Sequence, residues 1–240
     1  MTRVYTSQEL SAGRHIVLEP APSQHIARVL RMRDGERLTV FNGDGNDYPC
    51  RILSVGKSVE LAVESVEPNR CESPIRVTLA QAICRGDRMD FALQKSVELG
   101  VTSIIPLITR KGKVKLDEKR QAKKQAHWQA VVVSASEQCG RSVVPVVAHP
   151  ISLPDWLASG IDHNELLALD PLATIGVAST TARKSWTLIV GPESGFDDEE
   201  IERFNRYGIA RARLGPRTLR TETAAVCALS LLQSAHGDLK

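Results

Sequence analysis

Aromatic side chains are scarce in this chain: Phe, Trp and Tyr make up 4% of its 240 residues. A surface that stacks successive nucleic-acid bases is therefore poorly supplied. No apolar run approaches the length that spans a bilayer, and the polar, hydroxyl-rich start from Met1 to Ser11 does not read as a signal peptide. The cysteines, Cys50, Cys71, Cys84, Cys139 and Cys227, are odd in number and none forms a C-x-x-C pair. Neither a zinc site nor a disulfide framework is indicated, and a reducing, cytoplasmic setting is the expectation. The histidines and acids show no H-E-x-x-H spacing, so no metal is expected. No G-x-G-x-x-G follows a strand-like run and no G-x-x-x-x-G-K-[ST] occurs, which removes the usual support for dinucleotide or P-loop binding. The serine-hydrolase elbow G-x-S-x-G is missing too, because Gly191-Pro192-Glu193-Ser194-Gly195 has a different spacing.

What remains is ordinary globular composition, 42% hydrophobic and 25% charged, with length enough for one large domain or two. The net charge of +3 hides an asymmetry. Residues 1–72 carry 9 basic and 10 acidic side chains, residues 73–124 carry 12 and 5, and the remainder 10 and 13. Most of the basic excess lies in Arg110–Lys124 (RKGKVKLDEKRQAKK). Two readings fit that stretch, a solvated lysine-rich helix face or a contact with a polyanion.

The hydrophobic period changes near residue 70. Before it, apolar residues alternate in short runs: Leu38 and Val40; Ile52, Leu53 and Val55; Val59, Leu61, Val63 and Val66. With the turn signal Asn42-Gly43-Asp44-Gly45 between runs, this reads as a small β-barrel or meander. Ser23 is the expected N-cap of a short helix from Gln24 to Leu30. The proline-bracketed stretch Pro68–Pro74 reads as a linker, which places domains at 1–72 and 73–240. Beyond it, strands are expected at Ile75–Ile83, Ser103–Ile108, Val143–Ala148, Glu165–Leu169, Ser185–Val190 and Ala210–Leu214. Helices are expected at Asp87–Leu99, Asp117–Gln138, Asp197–Tyr207, where Asp197 caps and Glu200 reaches back, and Thr221–Ser234. Strands alternating with helices imply an α/β fold with a mainly parallel sheet, whose ligands bind beyond the carboxyl ends of the strands.

Two expected strand ends share an opening. Leu188-Ile189-Val190 runs into Gly191-Pro192-Glu193-Ser194-Gly195-Phe196, and Arg213-Leu214 into Gly215-Pro216-Arg217-Thr218-Leu219-Arg220-Thr221-Glu222-Thr223-Ala224-Ala225. Either alone is explained as a turn followed by a helix cap. As a pair at strand ends they mark a ligand site, since glycine lets backbone approach a ligand closely.

These segments carry a resemblance. Leu188–Phe196 looks like the glycine-rich LIGPEGG loop of SPOUT methyltransferases, and Leu214–Ala224 resembles the LG-x-R-x-LRTETA signature of the bacterial 16S rRNA uridine-N3 methyltransferases. Leu167-Ala168-Leu169-Asp170-Pro171 resembles another cofactor loop of that family. Arg88-Met89-Asp90, Gln94–Val101, Ser136–Arg141 and, near the start, His25, Val29-Leu30-Arg31 and Gly35 fit as well. One departure is Ser194, where the family usually has a second glycine; if that residue needs positive φ, serine costs about 1 kcal/mol.

The resemblance implies an N-terminal PUA-like β-barrel followed by a SPOUT α/β domain with a C-terminal trefoil knot over roughly residues 165–240. It implies a homodimer without membrane or metal, acting on 16S rRNA within an assembled small subunit. S-adenosylmethionine would lie among Leu169, Asp170 and Pro171; Val190, Gly191, Pro192, Glu193 and Gly195; and Leu214, Gly215, Leu219, Arg220, Thr221, Thr223 and Ala224. RNA would be gripped by Arg14, His25, Arg28, Arg31, Arg88 and Arg217, with Arg3 and Arg33 nearby in the first domain. Methyl transfer from a sulfonium needs no metal, but uridine N3–H must lose a proton. Arg220 is expected to hold the developing charge. Glu222 or Glu193 accepts the proton, unless Glu222 only favours a helix N-terminus. Two alternatives stay open: a SPOUT enzyme acting on another RNA or atom, and a non-catalytic ribosome-assembly protein that binds RNA.

Overall fold

The structure, a computed structural model, describes residues 2–112 and 117–240. Residues 113–116 of the basic stretch lie outside the described residues. The chain divides into two compact units, Met1–Glu72 with Ser136–Val144, and Ser73–Ala135 with Pro145–Lys240.

The first unit contains β1 (Arg3–Tyr5), β2 (His15–Val17), α1 (Pro20–Gln24), a π-helical turn at His25–Leu30, β3 (Arg37–Phe41), β4 (Asn46–Val55), β5 (Val59–Val63) and β6 (Glu67–Pro68). The sheet order is β1-β3-β4-β5-β2, with β6 on β4; β1 runs parallel to β3 and the other pairs are antiparallel. The turn between β3 and β4 is made by side chains that take over backbone amides: Asn42 Oδ1 accepts from Asp44 N (3.2 Å) and Asp44 Oδ1 from Asn46 N (2.8 Å). Alternate residues of the strands, among them Leu38, Val40, Cys50, Ile52, Leu61 and Val63, fill one core with Ile26.

Ser23 does not cap a helix. Helix α1 starts earlier, with Pro20 in its first turn, where a missing N–H costs nothing. Ser23 is instead buried, donating to Leu18 O (3.0 Å) and accepting from Val59 N (3.1 Å). Nor does Arg3 face outward. Its guanidinium meets Asp47 (2.9 Å) and Ser142 Oγ (2.7 Å) and lies over the Phe41 ring. Burial alone would raise the Asp47 carboxyl, but hydrogen bonds from Arg3, Ser142 and Asn69 hold it below the usual range. The same pocket of polar contacts explains why residues 136–144, read from sequence as part of the second domain, pack with the first unit: Arg141 pairs with Glu72 (2.7 Å) and Ser142 with Asp47.

The second unit contains β7 (Arg76–Ala82), α2 (Asp87–Glu98), β8 (Ser103–Ile108), the helix α3 (Glu118–Cys139), β9 (Val146–Val147), β10 (Ile151–Ser152), α4 (Leu153–Leu157), β11 (Leu166–Leu169), β12 (Ser185–Val190), α5 (Asp198–Arg206), β13 (Ala210–Ala212) and α6 (Thr221–His236). The carboxyl end of α3 falls in the first unit. All pairs are parallel, in the order β10-β8-β7-β12-β11-β13, with β9 beside β8. The expected strand Val143–Ala148 is thus reduced to two residues.

Strands buried on both faces read as nearly continuous apolar runs, and β11 (LLAL) and β12 (SWTLIV) do so. On one face Ala80, Leu107, Ala168 and Ile189 pack with Trp156 and Leu157 of α4 and Phe204 of α5. Helix α6 packs against α2 and against β7 and β12, burying Ala225, Ala228, Leu229 and Leu232. Truncating a leucine such as Leu229 there costs about 2–5 kcal/mol. Helix α5 begins with the expected capping box: Asp197 Oδ1 accepts from Glu200 N (2.8 Å), and Asp197 N donates to Glu200 Oε2 (2.9 Å). Among the described residues, no helix is long and apolar enough to cross a membrane.

Candidate active site

Because β12, β11 and β13 are adjacent and parallel, their carboxyl ends open on one edge of the sheet. Three loops leave from there, and they line a cavity of about 480 Å³. That is within the roughly 300–1,000 Å³ of small-molecule sites.

The first loop follows β11. Asp170 is buried; its Oδ1 accepts from Leu172 N (2.9 Å) and its Oδ2 from Arg211 Nη1 (2.8 Å). The carboxylate thereby shapes the turn and joins it to β13. Leu172, beside it on the wall, is 90% exposed.

The second loop follows β12. Gly191 sits where a Cβ would meet the Phe196 ring at 3.1 Å, so ring and backbone are in close contact only because the residue is glycine. Phe196 in turn packs edge-on against Phe204 of α5. Positive φ falls at Gly195 (69°) and not at Ser194, so serine fits the loop without the strain that the sequence departure raised.

The third loop follows β13. Gly215 has φ 114°, with no atom within 4 Å of where a Cβ would stand. The segment then enters α6 at Thr221. Thr221 is the first helical residue and not the cap; Arg220 occupies the cap position without a capping side-chain bond. The Thr221 hydroxyl is used elsewhere. It donates to Gly191 O (2.7 Å) and accepts from the buried Gln81 Nε2 (2.8 Å), tying the second loop, the third loop and β7 together.

The cavity walls include Leu169, Asp170, Pro171, Val190, Gly191, Pro192, Glu193, Gly195, Leu214, Gly215, Leu219, Thr221 and Ala224 of the residues expected to hold a cofactor, and Arg217 of those expected to hold RNA. Arg220, Glu222 and Thr223 do not line it. Arg220 and Thr223 are exposed, and Glu222 is 9% exposed with Oε2 lacking a hydrogen-bond partner among the described residues. Arg88 pairs with Glu193 (3.1 Å). In the first unit Arg28, Arg31 and Arg14 are exposed, and His25 is half-buried in the π-helical turn.

Sequence reasoning missed several wall residues: Lys111, Leu172, Phe196, Asp198, Ile201, Arg211 and Arg213. Phe196 could have been found, since a glycine five residues before an aromatic invites contact. Nothing in the local pattern around Arg211 or Lys111 signals a site. The start of the basic stretch is also spoken for: Arg110 meets Asp197 (3.4 Å) and Glu199, and Lys111 donates to Phe196 O (3.0 Å). Among the described residues no group of three or more His, Cys, Asp or Glu side chains could hold a metal ion.

Comparison with known proteins adds chemistry to this geometry. The family model of the RNA methyltransferase domain matches residues 71–233, and that of the RNA methyltransferase PUA domain matches residues 23–64. Ribosomal RNA small subunit methyltransferase E of Bacillus subtilis (strain 168) is 32% identical over 238 residues, 95% of this chain and 93% of that protein. A methyltransferase of Legionella pneumophila, solved with S-adenosylmethionine bound, is 42% identical with a TM-score of 0.95, covering 99% of each chain. Ribosomal RNA small subunit methyltransferase E of Neisseria gonorrhoeae, also solved with S-adenosylmethionine, is 36% identical with a TM-score of 0.93 over 100% of both chains.

Proposed function

Because this chain belongs to the ribosomal RNA small subunit methyltransferase E family, we propose that it transfers a methyl group from S-adenosylmethionine to N3 of a uridine in 16S rRNA. The observation that carries the reading is the cavity at the ends of β11, β12 and β13, held together through Thr221. Its chemistry suits the cofactor. Leu169, Val190, Leu214 and Leu219 offer apolar surface to flat adenine faces, while the glycine-containing loops leave backbone groups for its polar edge.

When bound, S-adenosylmethionine supplies an electrophilic methyl group on a sulfonium, so the protein needs no metal for this step. What the chain must do is orient the acceptor in line, exclude water and dispose of one proton. Leu169–Pro171, Val190–Pro192 with Gly195, and Leu214, Gly215, Leu219, Thr221 and Ala224 form the cofactor's seat in this reading, and Glu193 stands at its border. Arg220, between the wall residues Leu219 and Thr221, has no hydrogen-bond or ion-pair partner for its side chain among the described residues and is proposed to hold the charge that develops on the substrate. Glu222, buried in the first turn of α6, is assigned to the helix N-terminus. Arg14, His25, Arg28, Arg31 and Arg217 are proposed to grip phosphate, with RNA recognised by shape within an assembled subunit. The same reading includes a cytoplasmic homodimer and a trefoil knot near residues 165–240, a region in which the Ile175–Val177 segment pairs with Arg213 beside the edge strand β13.

The test is mass spectrometry of rRNA nucleosides from cells with and without the gene. Loss of one 3-methyluridine in 16S rRNA is expected. Loss of a different modification would redirect the substrate assignment, and an unchanged profile would contradict methyl transfer to rRNA. In vitro, S-adenosylhomocysteine at a hundred times its dissociation constant should stabilise the protein by about 2.7 kcal/mol.

A further inference from the structure

Glu193 lines two cavities. Besides the one at the strand ends, it borders a second of about 370 Å³ with Arg85, Gly86 and Arg88. These three residues follow β7 and open α2. Arg88 Nη1 meets Glu193 Oε1 at 3.1 Å, which leaves Oε2 without a partner among the described residues. Arg85 is exposed and likewise has no ion pair or hydrogen bond from its side chain among the described residues, and a Cβ on Gly86 would meet nothing within 4 Å. Two guanidiniums and a carboxylate therefore share one open recess.

A uracil presents, along its imide edge, one N–H donor flanked by two carbonyl acceptors. The recess holds the complementary set: one carboxylate acceptor and two arginine donors. Cytosine lacks the N3–H and carries an amino donor where uracil has a carbonyl, so it would face a guanidinium donor to donor. A ribose hydroxyl has no flanking carbonyls to engage. We propose that this recess receives the acceptor uridine by its imide edge, with Arg85 and Arg88 donating to the carbonyl oxygens and Glu193 Oε2 taking the N3 proton. The inference rests on the uridine-N3 reading above and names the subsite for it.

The electron count closes. Glu193 accepts the proton, N3 keeps the pair from its N–H bond, and that pair forms the N–CH₃ bond as the carbon–sulfur bond breaks with its electrons left on sulfur. The products are N3-methyluridine, a neutral thioether and one proton, which Glu193 passes to solvent. Because Arg88 holds Oε1, the orientation of Oε2 is set before the base arrives. Glu193 shares the adjoining cavity with Lys111, Asp170, Asp198, Arg211, Arg213 and Arg217, and both Glu193 and Glu222 act on the thiol of Cys84. Burial, together with the charges of Glu193 and Glu222, pushes the Cys84 thiol up to about 12, so no thiolate competes for the methyl group.

Single-turnover methylation of small ribosomal subunits from a strain lacking the gene, with saturating S-adenosylmethionine between pH 6 and 10, tests this. Calorimetric titration with S-adenosylhomocysteine runs alongside on each full-length variant. Glu193→Gln should lower the rate at pH 7 by about 10²–10³, and its rate should then climb about tenfold per pH unit as the base ionises unaided. The unaltered protein should show a flatter profile, and S-adenosylhomocysteine affinity should stay within about threefold. Arg85→Ala should lower the rate about tenfold, with partial recovery in Arg85→Lys. A Glu193→Gln protein with the unaltered rate and pH profile overturns the proposal while leaving the methyltransferase reading intact. So does one that loses S-adenosylhomocysteine affinity, which would assign Glu193 to the cofactor. If the unaltered protein neither transfers methyl nor binds S-adenosylhomocysteine, the proposed function itself fails.

Discussion

The two Gly-Pro loops look interchangeable in sequence and are physically different. After β12, glycine is required by a neighbour: the Phe196 ring fills the space where a side chain would begin. After β13, glycine is required by the backbone itself, which takes φ 114° at Gly215 with open space around it. One loop is packed and the other is bent. Thr221 joins them into one site, its hydroxyl reaching across to Gly191 O while accepting from Gln81. A repeated dipeptide thus marks where a ligand approaches, but not what the glycine does there.

Removing that link should produce the largest effect. Thr221→Val keeps the shape but leaves Gly191 O and Gln81 Nε2 each short of a partner. Unfolding by urea should show about 2–3 kcal/mol of lost stability at unchanged slope, with at least tenfold weaker S-adenosylhomocysteine binding. A loss under about 0.5 kcal/mol would mean that the loops hold their places independently.

The contrast between the glycines comes next. Gly215→Ala should cost roughly 1–2 kcal/mol from positive φ, and no second substitution nearby should relieve it. Gly191→Ala should cost about 1 kcal/mol or less, and Phe196→Leu should recover most of it, because only the ring must move. Equal costs without rescue would erase the distinction between a packed and a bent loop.

Smaller effects lie at the edges of the second loop. Asp197→Ala removes half the capping box of α5 and should cost about 1 kcal/mol, seen as faster amide exchange in the first turn of that helix. Ser194→Gly should change stability by about 0.5 kcal/mol or less, slightly downward, because Ser194 has no positive φ to relieve and glycine loosens the unfolded chain. A clear gain would show strain that the backbone angles do not.

Much of this was legible in the chain. Parallel strands, the capping box at Asp197 and Glu200, and the strand-end loops follow from hydrophobic period and turn chemistry, which act within a few residues. Ser23 departs from the expected cap because a serine before a helical run looks the same whether it caps or is buried; its partners, Leu18 and Val59, are set by the sheet. The partners of the Thr221 hydroxyl, Gly191 and Gln81, likewise lie far off along the chain. Arg211 and Lys111 join the cavity through tertiary contacts at Asp170 and Phe196 that no local pattern encodes. The attachment of residues 136–144 to the first unit depends on Arg3 and Asp47, some 90 residues or more away in the chain.

The account stands or falls on whether the joined loops seat the methyl donor. Calorimetric titration of S-adenosylhomocysteine into the unaltered protein and into Thr221→Val measures this most directly. The account predicts saturable binding of one molecule per chain, weakened at least tenfold in the variant; no saturable heat in the unaltered protein, or the same affinity in both, would contradict it.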